Sequence, residues 1–243
     1  MKKAIIMGAS SGMGLEIARL LLEEGWKLGL AARRKDSIQD LKNVYPKQVV
    51  PAVIDITEKG ADEKLLRLIE ELGGIDLYLH VAGIGYQNYD LSADKELSTI
   101  STNSLGFARM TGAAYRYFSR QGHGQIAAIS SIAGTKGLGA APAYSATKAF
   151  QSCYLQALEQ QANMRKLNIC FTDIRPGFVS TALLNDGRHY PMLMDPKKVA
   201  KSIVEAIKSK RHVTVIDSRY RLLTFFWRWI PNWLWRHLRI RTE

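Results

Sequence analysis

Short apolar, β-favouring runs alternate along the chain with longer stretches whose apolar residues recur at helical spacing. Runs at residues 3–7, 27–32, 49–54, 75–81, 125–130, 168–174 and 212–216 predict seven buried-type strands. The first predicted helix places Leu15, Ala18, Leu21 and Leu22 on one face and stops at Gly25, a residue suited to a helix C-terminus. Further helices are predicted over residues 61–72, 94–118 and 143–164. Another opens on Asp195 as N-cap with Pro196 in its first turn, and runs to about residue 209. Strands and helices alternate without a break, which predicts an α/β fold with a doubly wound parallel sheet. No internal repeat or low-complexity linker divides the chain. The expectation is one domain over residues 1–217, followed by an amphipathic tail over residues 218–243.

The first strand-to-helix turn reads Gly8-x-x-x-Gly12-x-Gly14. Glycines there let a pyrophosphate approach backbone N–H groups at a helix N-terminus, so the turn predicts a dinucleotide site. Arg33 and Arg34 follow the second strand, where the adenosine ribose lies in such folds. An acidic residue there binds the 2′-hydroxyl of NAD, whereas arginine accommodates the 2′-phosphate of NADP. Asp36 comes too late to play the acidic part, so the expected cofactor is NADP(H) rather than NAD(H). Further along, Tyr144 and Lys148 are four residues apart on a predicted helix and share a face. A free phenol has a pKa of about 10, and an ammonium beside it favours the phenolate. Such a pair can exchange a proton with a substrate oxygen, and the Ser131 hydroxyl can hold that oxygen.

Charge adds a feature at one end. The net charge is +12, and residues 208–243 hold nine Lys/Arg against two Asp/Glu, so +7 sits in that segment. This implies a special C-terminal surface and argues against a nucleic-acid partner. Within the tail, Leu222, Phe225, Phe226 and Trp229 form one apolar helix face; Pro231 interrupts it, and Trp233, Leu234 and Leu238 continue. The run is too short, and too interrupted by Arg228, to span a bilayer. Three uses stay open: contact with a membrane surface, a subunit interface, or packing over the substrate pocket. Cys153 and Cys170 are expected as reduced core thiols. With no signal peptide after Met1-Lys2-Lys3, the expected location is the cytoplasm, or the inner face of a membrane as a peripheral protein. No Cys/His spacing suggests a metal site.

Taken in order, Gly8-x-x-x-Gly12-x-Gly14, Asp55, Ala82-Gly83, Asn103, Ser131, Tyr144-x-x-x-Lys148 and Pro176-Gly177 with Val179 and Thr181 resemble the short-chain dehydrogenase/reductase family. The likeness covers residues 3–216. It implies a single-domain, Rossmann-type NAD(P)-dependent oxidoreductase. Tyr144 would be general acid or base, Ser131 would polarise the substrate oxygen, and Lys148 would lower the tyrosine pKa and bind the nicotinamide ribose. Asn103 would hold a water linking Lys148 to solvent. Gly8, Ser10, Ser11, Gly12, Met13 and Gly14 would cradle the pyrophosphate, with Arg33 and Arg34 at the 2′-phosphate. Asp55 and Ile56 would meet the adenine. Ala82 and Gly83 would also line the cofactor site, and Pro176, Gly177, Val179 and Thr181 would serve the nicotinamide side. The family implies a homo-oligomer, dimer or tetramer, built on the helices around Asn103 and Tyr144.

Two positions depart from the family pattern: Met7 stands where threonine is usual, and His80-Val81 where Asn-Asn is usual. Their polar counterparts brace the central strands, so these changes bear on local stability. The segment after Gly177 supplies Leu183, Leu184, Tyr190, Met192, Leu193 and Met194 as an apolar lining. With the tail, it points to reduction of a lipophilic ketone, such as a long-chain or sphingoid-type keto lipid. The alternatives are a small polar hydroxy acid or sugar and, in another class, a non-catalytic NADP-binding sensor or scaffold.

Overall fold

The computed structural model describes residues 1–34, 36–181, 184, 187 and 190–240. Leu183 and Arg241 lie outside these. Seven strands form one sheet: β1 (Lys3–Met7), β2 (Lys27–Ala32), β3 (Val49–Val53), β4 (Leu77–His80), β5 (His123–Ile129), β6 (Asn168–Arg175) and β7 (Val213–Val215). Their order is β3-β2-β1-β4-β5-β6-β7, and every pairing is parallel. The order reverses between β1 and β4, which opens a crevice at the carboxyl ends of those strands.

Alternation along each strand feeds two cores. Ala4 and Ile6, Leu28 and Leu30, and Ala127 and Ile129 face one side. Ile5 and Met7, Tyr78, and Ile126 and Ala128 face the other. The first side is covered by α1 (Gly12–Glu23), α2 (Asp36–Val44) and α7 (Pro196–Lys208). The second is covered by α3 (Ala61–Leu72), α5 (Phe107–Gln121) and α6 (Pro142–Met164). Burial on both faces explains why the strands read as near-continuous apolar runs.

Several details differ from the sequence reading. Helix α2 was not expected, because only Ile38 and Leu41 of its nine residues are buried apolar anchors. The long helix expected over residues 94–118 is three pieces: α4 (Ala93–Ile100), a π-helical turn (Ser101–Gly106) and α5. A π-turn closes each hydrogen-bonded ring one residue later than an α-helix, and the polar residues Ser101, Thr102, Asn103 and Ser104 leave no apolar spacing from which to read the change. Cys153 is not a core thiol: it is exposed on the outer face of α6, and Cys170 is half-buried. The family's polar brace is supplied in another form. His80 is buried and neutral, with Nδ1 2.8 Å from the Tyr78 hydroxyl and Nε2 3.1 Å from Ala82 O. Burial, with the nearby Lys148 charge, lowers its pKa to about 3.

The tail forms α8 (Ser218–Trp229) and, beyond Pro231, the short α9 (Asn232–Trp235). Tyr220 and Thr224 of α8 are buried. No helix among the described residues is long and apolar enough to cross a membrane.

Candidate active site

At the end of β1, Gly8 adopts φ +98°, and a Cβ there would lie 2.6 Å from Ala82 N. A Cβ on Gly14 would lie 2.1 Å from Gly8 O. Both positions therefore demand glycine, and the chain turns sharply enough to aim the start of α1 at the crevice. Gly12, at φ +55°, faces Thr181, whose Cγ2 would be 3.4 Å from a Cβ. Thr181, expected on the nicotinamide side, and the glycine-rich turn are thus brought together. Ser10, Gly12 and Met13 are half-buried, and Ser11 is exposed. First-turn acids, which would repel a phosphate, are absent from α1. This cradle fits a dinucleotide pyrophosphate.

Arg33 and Arg34 are exposed at the carboxyl end of β2. Burial raises the Asp55 pKa, but hydrogen bonds from Thr57 and the charges of Arg33 and Lys64 lower it further, to a net value below the usual range. Arg33 and Asp55 therefore share one rim. Ile56 is buried, its carbonyl accepting from Arg109 Nη1 at 2.6 Å, and its side chain fills the space that a Cβ on Gly106 would need. That leaves Asp55, half-buried, as the side chain of the pair nearer solvent.

Ser131, Tyr144 and Lys148 converge beyond β4 and β5. Ser131 N-caps a short 3₁₀ turn, accepting from Ala133 N at 3.1 Å and donating to Pro176 O at 3.5 Å, and its hydroxyl acts on the Tyr144 phenol, whose pKa it lowers. Ser130 is engaged elsewhere, donating to Asp173, which also pairs with Arg175 at 2.7 Å. Tyr144 lies on the first turn of α6, with Gly85 against its ring: a Cβ there would come within 2.4 Å. Pro176 O accepts from Ile132 N at 3.1 Å, tying the β6 end to the same turn. Val179 bridges to Met194, which closes the base of the following loop.

Lys148 Nζ sits 5.7 Å from the Tyr144 ring centroid and 3.6 Å from where a Gly83 Cβ would be. It donates to Ile129 O at 2.9 Å and to Gln151 Oε1 at 3.0 Å. Burial lowers its pKa to about 8, partly opposed by the Asp173 charge. The expected lowering of the tyrosine pKa needs correcting for this state of the protein. Burial raises the Tyr144 pKa and outweighs the opposing Ser131 hydrogen bond, while the ammonium is directed at Gln151 and a carbonyl.

Asn103 lies in the π-turn, fully buried. Its side chain donates to Ile84 O at 2.7 Å and to Thr147 Oγ1 at 3.2 Å, and accepts from Ile84 N at 2.9 Å. Its backbone carbonyl accepts from Gln151 Nε2 at 2.9 Å. Gln151 therefore bridges Lys148 to the Asn103 backbone directly. Sequence reading missed Gln151, although its position three residues after Lys148 puts it on the same helix face. It also missed Gly85 and Tyr220. The Tyr220 hydroxyl accepts from Phe178 N at 3.2 Å and lies 2.9 Å from Pro191 O.

The short chain dehydrogenase family profile matches residues 2–190. An uncharacterized oxidoreductase of Staphylococcus aureus (strain N315) is 33% identical over 227 residues, covering 90% of this chain and 96% of the relative. Among solved structures, the alcohol dehydrogenase from the archaeon Thermococcus sibiricus, complexed with 5-hydroxy-NADP, superposes with a TM-score of 0.79 at 25% identity. That match covers 90% of this chain and 97% of that one. A short chain dehydrogenase from Burkholderia cenocepacia J2315, in complex with NADP, shares the fold at a TM-score of 0.83 and 19% identity, over 99% of this chain and 100% of that one. The chain belongs to the short-chain dehydrogenase family, and it is an oxidoreductase acting on a CH–OH or C=O group.

Proposed function

We propose that the protein is an NADP(H)-dependent reductase of a lipophilic ketone, with Tyr144 as general acid. The observation that carries the reaction is the convergence of the Ser131 hydroxyl, the Tyr144 phenol and the Lys148 ammonium beside Gly83 and the glycine-rich turn. A nicotinamide supplies the hydride when bound. Ser131 holds the substrate carbonyl oxygen and aligns it with Tyr144. As the carbonyl carbon gains hydride, Tyr144 gives its proton to the oxygen, so the C=O becomes CH–OH. A phenol with a raised pKa is well suited to hold that proton until the oxygen becomes basic. In the reverse direction the same phenolate takes the proton from the alcohol.

Support for NADP(H) comes from Arg33 and Arg34 at the ribose end of the crevice, and from the NADP-type ligands named for the Thermococcus and Burkholderia proteins. Support for a lipophilic substrate comes from the loop beyond Gly177, where Tyr190 and Met194 are buried and Leu184 and Met192 are half-buried. Exposed Leu97, Leu105 and Phe150 around the π-turn and α6 favour a homo-oligomer contact there.

The test is NADPH oxidation across ketones of graded chain length, with Tyr144→Phe as control. Rates should rise with chain length. The variant should bind NADPH normally and lose on the order of 10²–10⁴-fold in turnover. Near wild-type turnover by the variant would sink the mechanism. A preference for small hydroxy acids or sugars would sink the substrate class, and no turnover of any carbonyl compound would favour a sensor or scaffold.

A further inference from the structure

Helix α8 is mounted with its apolar stripe outward. Residues at i, i+3, i+4 and i+7 share one helix face. Leu222, Phe225, Phe226 and Trp229 hold that face and are 61%, 56%, 57% and 74% exposed. Tyr220 and Thr224, on the opposite side, are the residues buried against the body. Beyond the Pro231 corner, Trp233 is 69% exposed and Leu238 is also open. An amphipathic helix serving only its own globule turns the apolar stripe inward. This one does the reverse, and contiguous exposed apolar surface of this kind marks an interaction site.

The charge around the stripe selects the partner. Arg221, Arg228, Arg236 and Arg239 are exposed along the same segment. Asp217, the acid at the start of α8, is paired with Arg219 at 2.7 Å. Two copies meeting through this surface would bring like charges together, whereas an anionic surface complements them. Phe, Trp and Leu with arginine at their flanks match the depth profile of a lipid interface.

The platform is joined to both walls of the active site. Lys136 Nζ donates to Ile230 O at 3.0 Å and to Asn232 Oδ1 at 2.8 Å, and Trp235 Nε1 donates to Gly137 O at 2.7 Å. These bonds hold the loop that leads into Tyr144. At the other end, Tyr220 holds Phe178, Pro191 and Met192 of the loop beyond Gly177.

We infer that α8 and α9 form a membrane-interface platform. Leu222, Phe225, Phe226, Trp229 and Trp233 enter the headgroup region of an anionic bilayer, the arginines meet lipid phosphates, and the substrate passes from the lipid between the two loops. The docking stands on the tail alone; passage of substrate from lipid rests on the lipophilic-ketone reading above.

Full-length protein is sedimented with vesicles of phosphatidylcholine alone and of phosphatidylcholine mixed with phosphatidylglycerol, at low and high salt. The mixed vesicles should bind it at least about tenfold more tightly, and Arg221→Gln with Arg228→Gln should remove about tenfold or more of that affinity. High salt should weaken binding without abolishing it, because the apolar contribution is unscreened. Replacing Leu222, Phe225, Phe226 and Trp229 together by serine should abolish binding. All four are exposed, so circular dichroism and NADPH affinity should be unchanged. Binding that survives these four changes overturns the proposal. So does absence of vesicle binding by the wild type, including the case in which the serine variant has lost an oligomer, which would make the face an interface between copies. The two readings separate cleanly. The serine variant should keep wild-type turnover of a short soluble ketone and lose only the acceleration of a vesicle-borne long-chain ketone. Vesicle docking with no such acceleration leaves the platform standing and sinks the lipid route for substrate.

Discussion

At the scale of single residues, the most consequential side chain is one with no acid–base chemistry of its own. Gln151 accepts from the Lys148 ammonium and donates to Asn103 O. An amide offers no exchangeable O–H to pass on, so Gln151 fixes Lys148 rather than conducting protons. Its oxygen stabilises the charged lysine against a burial that has already lowered the pKa to about 8. Lys148 is cationic below that pH and loses its proton above it, so steps that need the ammonium should fail as pH rises through about 8. Gln151→Leu removes an acceptor of the charged form and should move the alkaline limb of kcat to lower pH. Gln151→Glu adds an anion and should move it to higher pH. A purely structural role would lower activity in both variants without displacing the limb in opposite directions, so the pH–rate profiles of the pair decide the matter.

At the scale of elements, the cofactor prediction belongs to the carboxyl end of β2. Charge-assisted hydrogen bonds contribute about 1.5–3 kcal/mol each, and about 1.4 kcal/mol is tenfold in affinity. Wild-type protein should therefore prefer NADPH over NADH by at least about tenfold, and Arg33→Ala should erase most of that preference; titration by fluorescence with both cofactors checks it. A second prediction concerns Gly177, where a Cβ would lie 2.2 Å from the Tyr220 ring. Gly177→Ala should push Tyr220 off Phe178 and Met192, at a cost of about 1–3 kcal/mol. Each kcal/mol corresponds to a melting shift of about 2–4 °C in a chain of this size. An unchanged melt would mean that the ring moves aside freely.

Elements with strong local signals were legible in the sequence. The strands β1, β2, β5 and β6, the glycine turn, and the facing of Tyr144 with Lys148 depend on period and spacing alone. The π-turn was not legible, because Ser101–Gly106 lies between two α-helices and its polar first four residues show no apolar spacing. Neither was Gln151, which is chemically bland and gains meaning only when α6 crosses Asn103. His80 read as the loss of a brace, yet its ring nitrogens restore one through Tyr78 and Ala82, contacts set by the twist of β4 and the turn after it.

At the scale of the whole molecule, the sequence marked the tail by charge and aromatic content, and it could not say which side of α8 faces the body. Period gives a stripe, but its direction depends on what anchors the opposite face, and here that is Tyr220, a residue the stripe excludes. This makes the boundary at residue 217 testable. Removing residues 231–243 takes away Asn232 and Trp235, and with them exposed hydrogen bonds to Lys136 and Gly137 worth about 0.5–1.5 kcal/mol each. The melt should shift by a few degrees, and backbone exchange should quicken around residues 134–139. Removing residues 218–243 also takes Tyr220 from the core. Loss of a buried large aromatic costs about 3–5 kcal/mol, and Phe178 N loses its acceptor as well. That truncation should melt far lower and expose residues 176–181 and 190–194. If both truncations melt alike, Tyr220 contributes little and the tail is an appendage to a domain ending at residue 217. If only the longer truncation collapses, α8 and the loop beyond Gly177 are one cooperative unit held together by Tyr220.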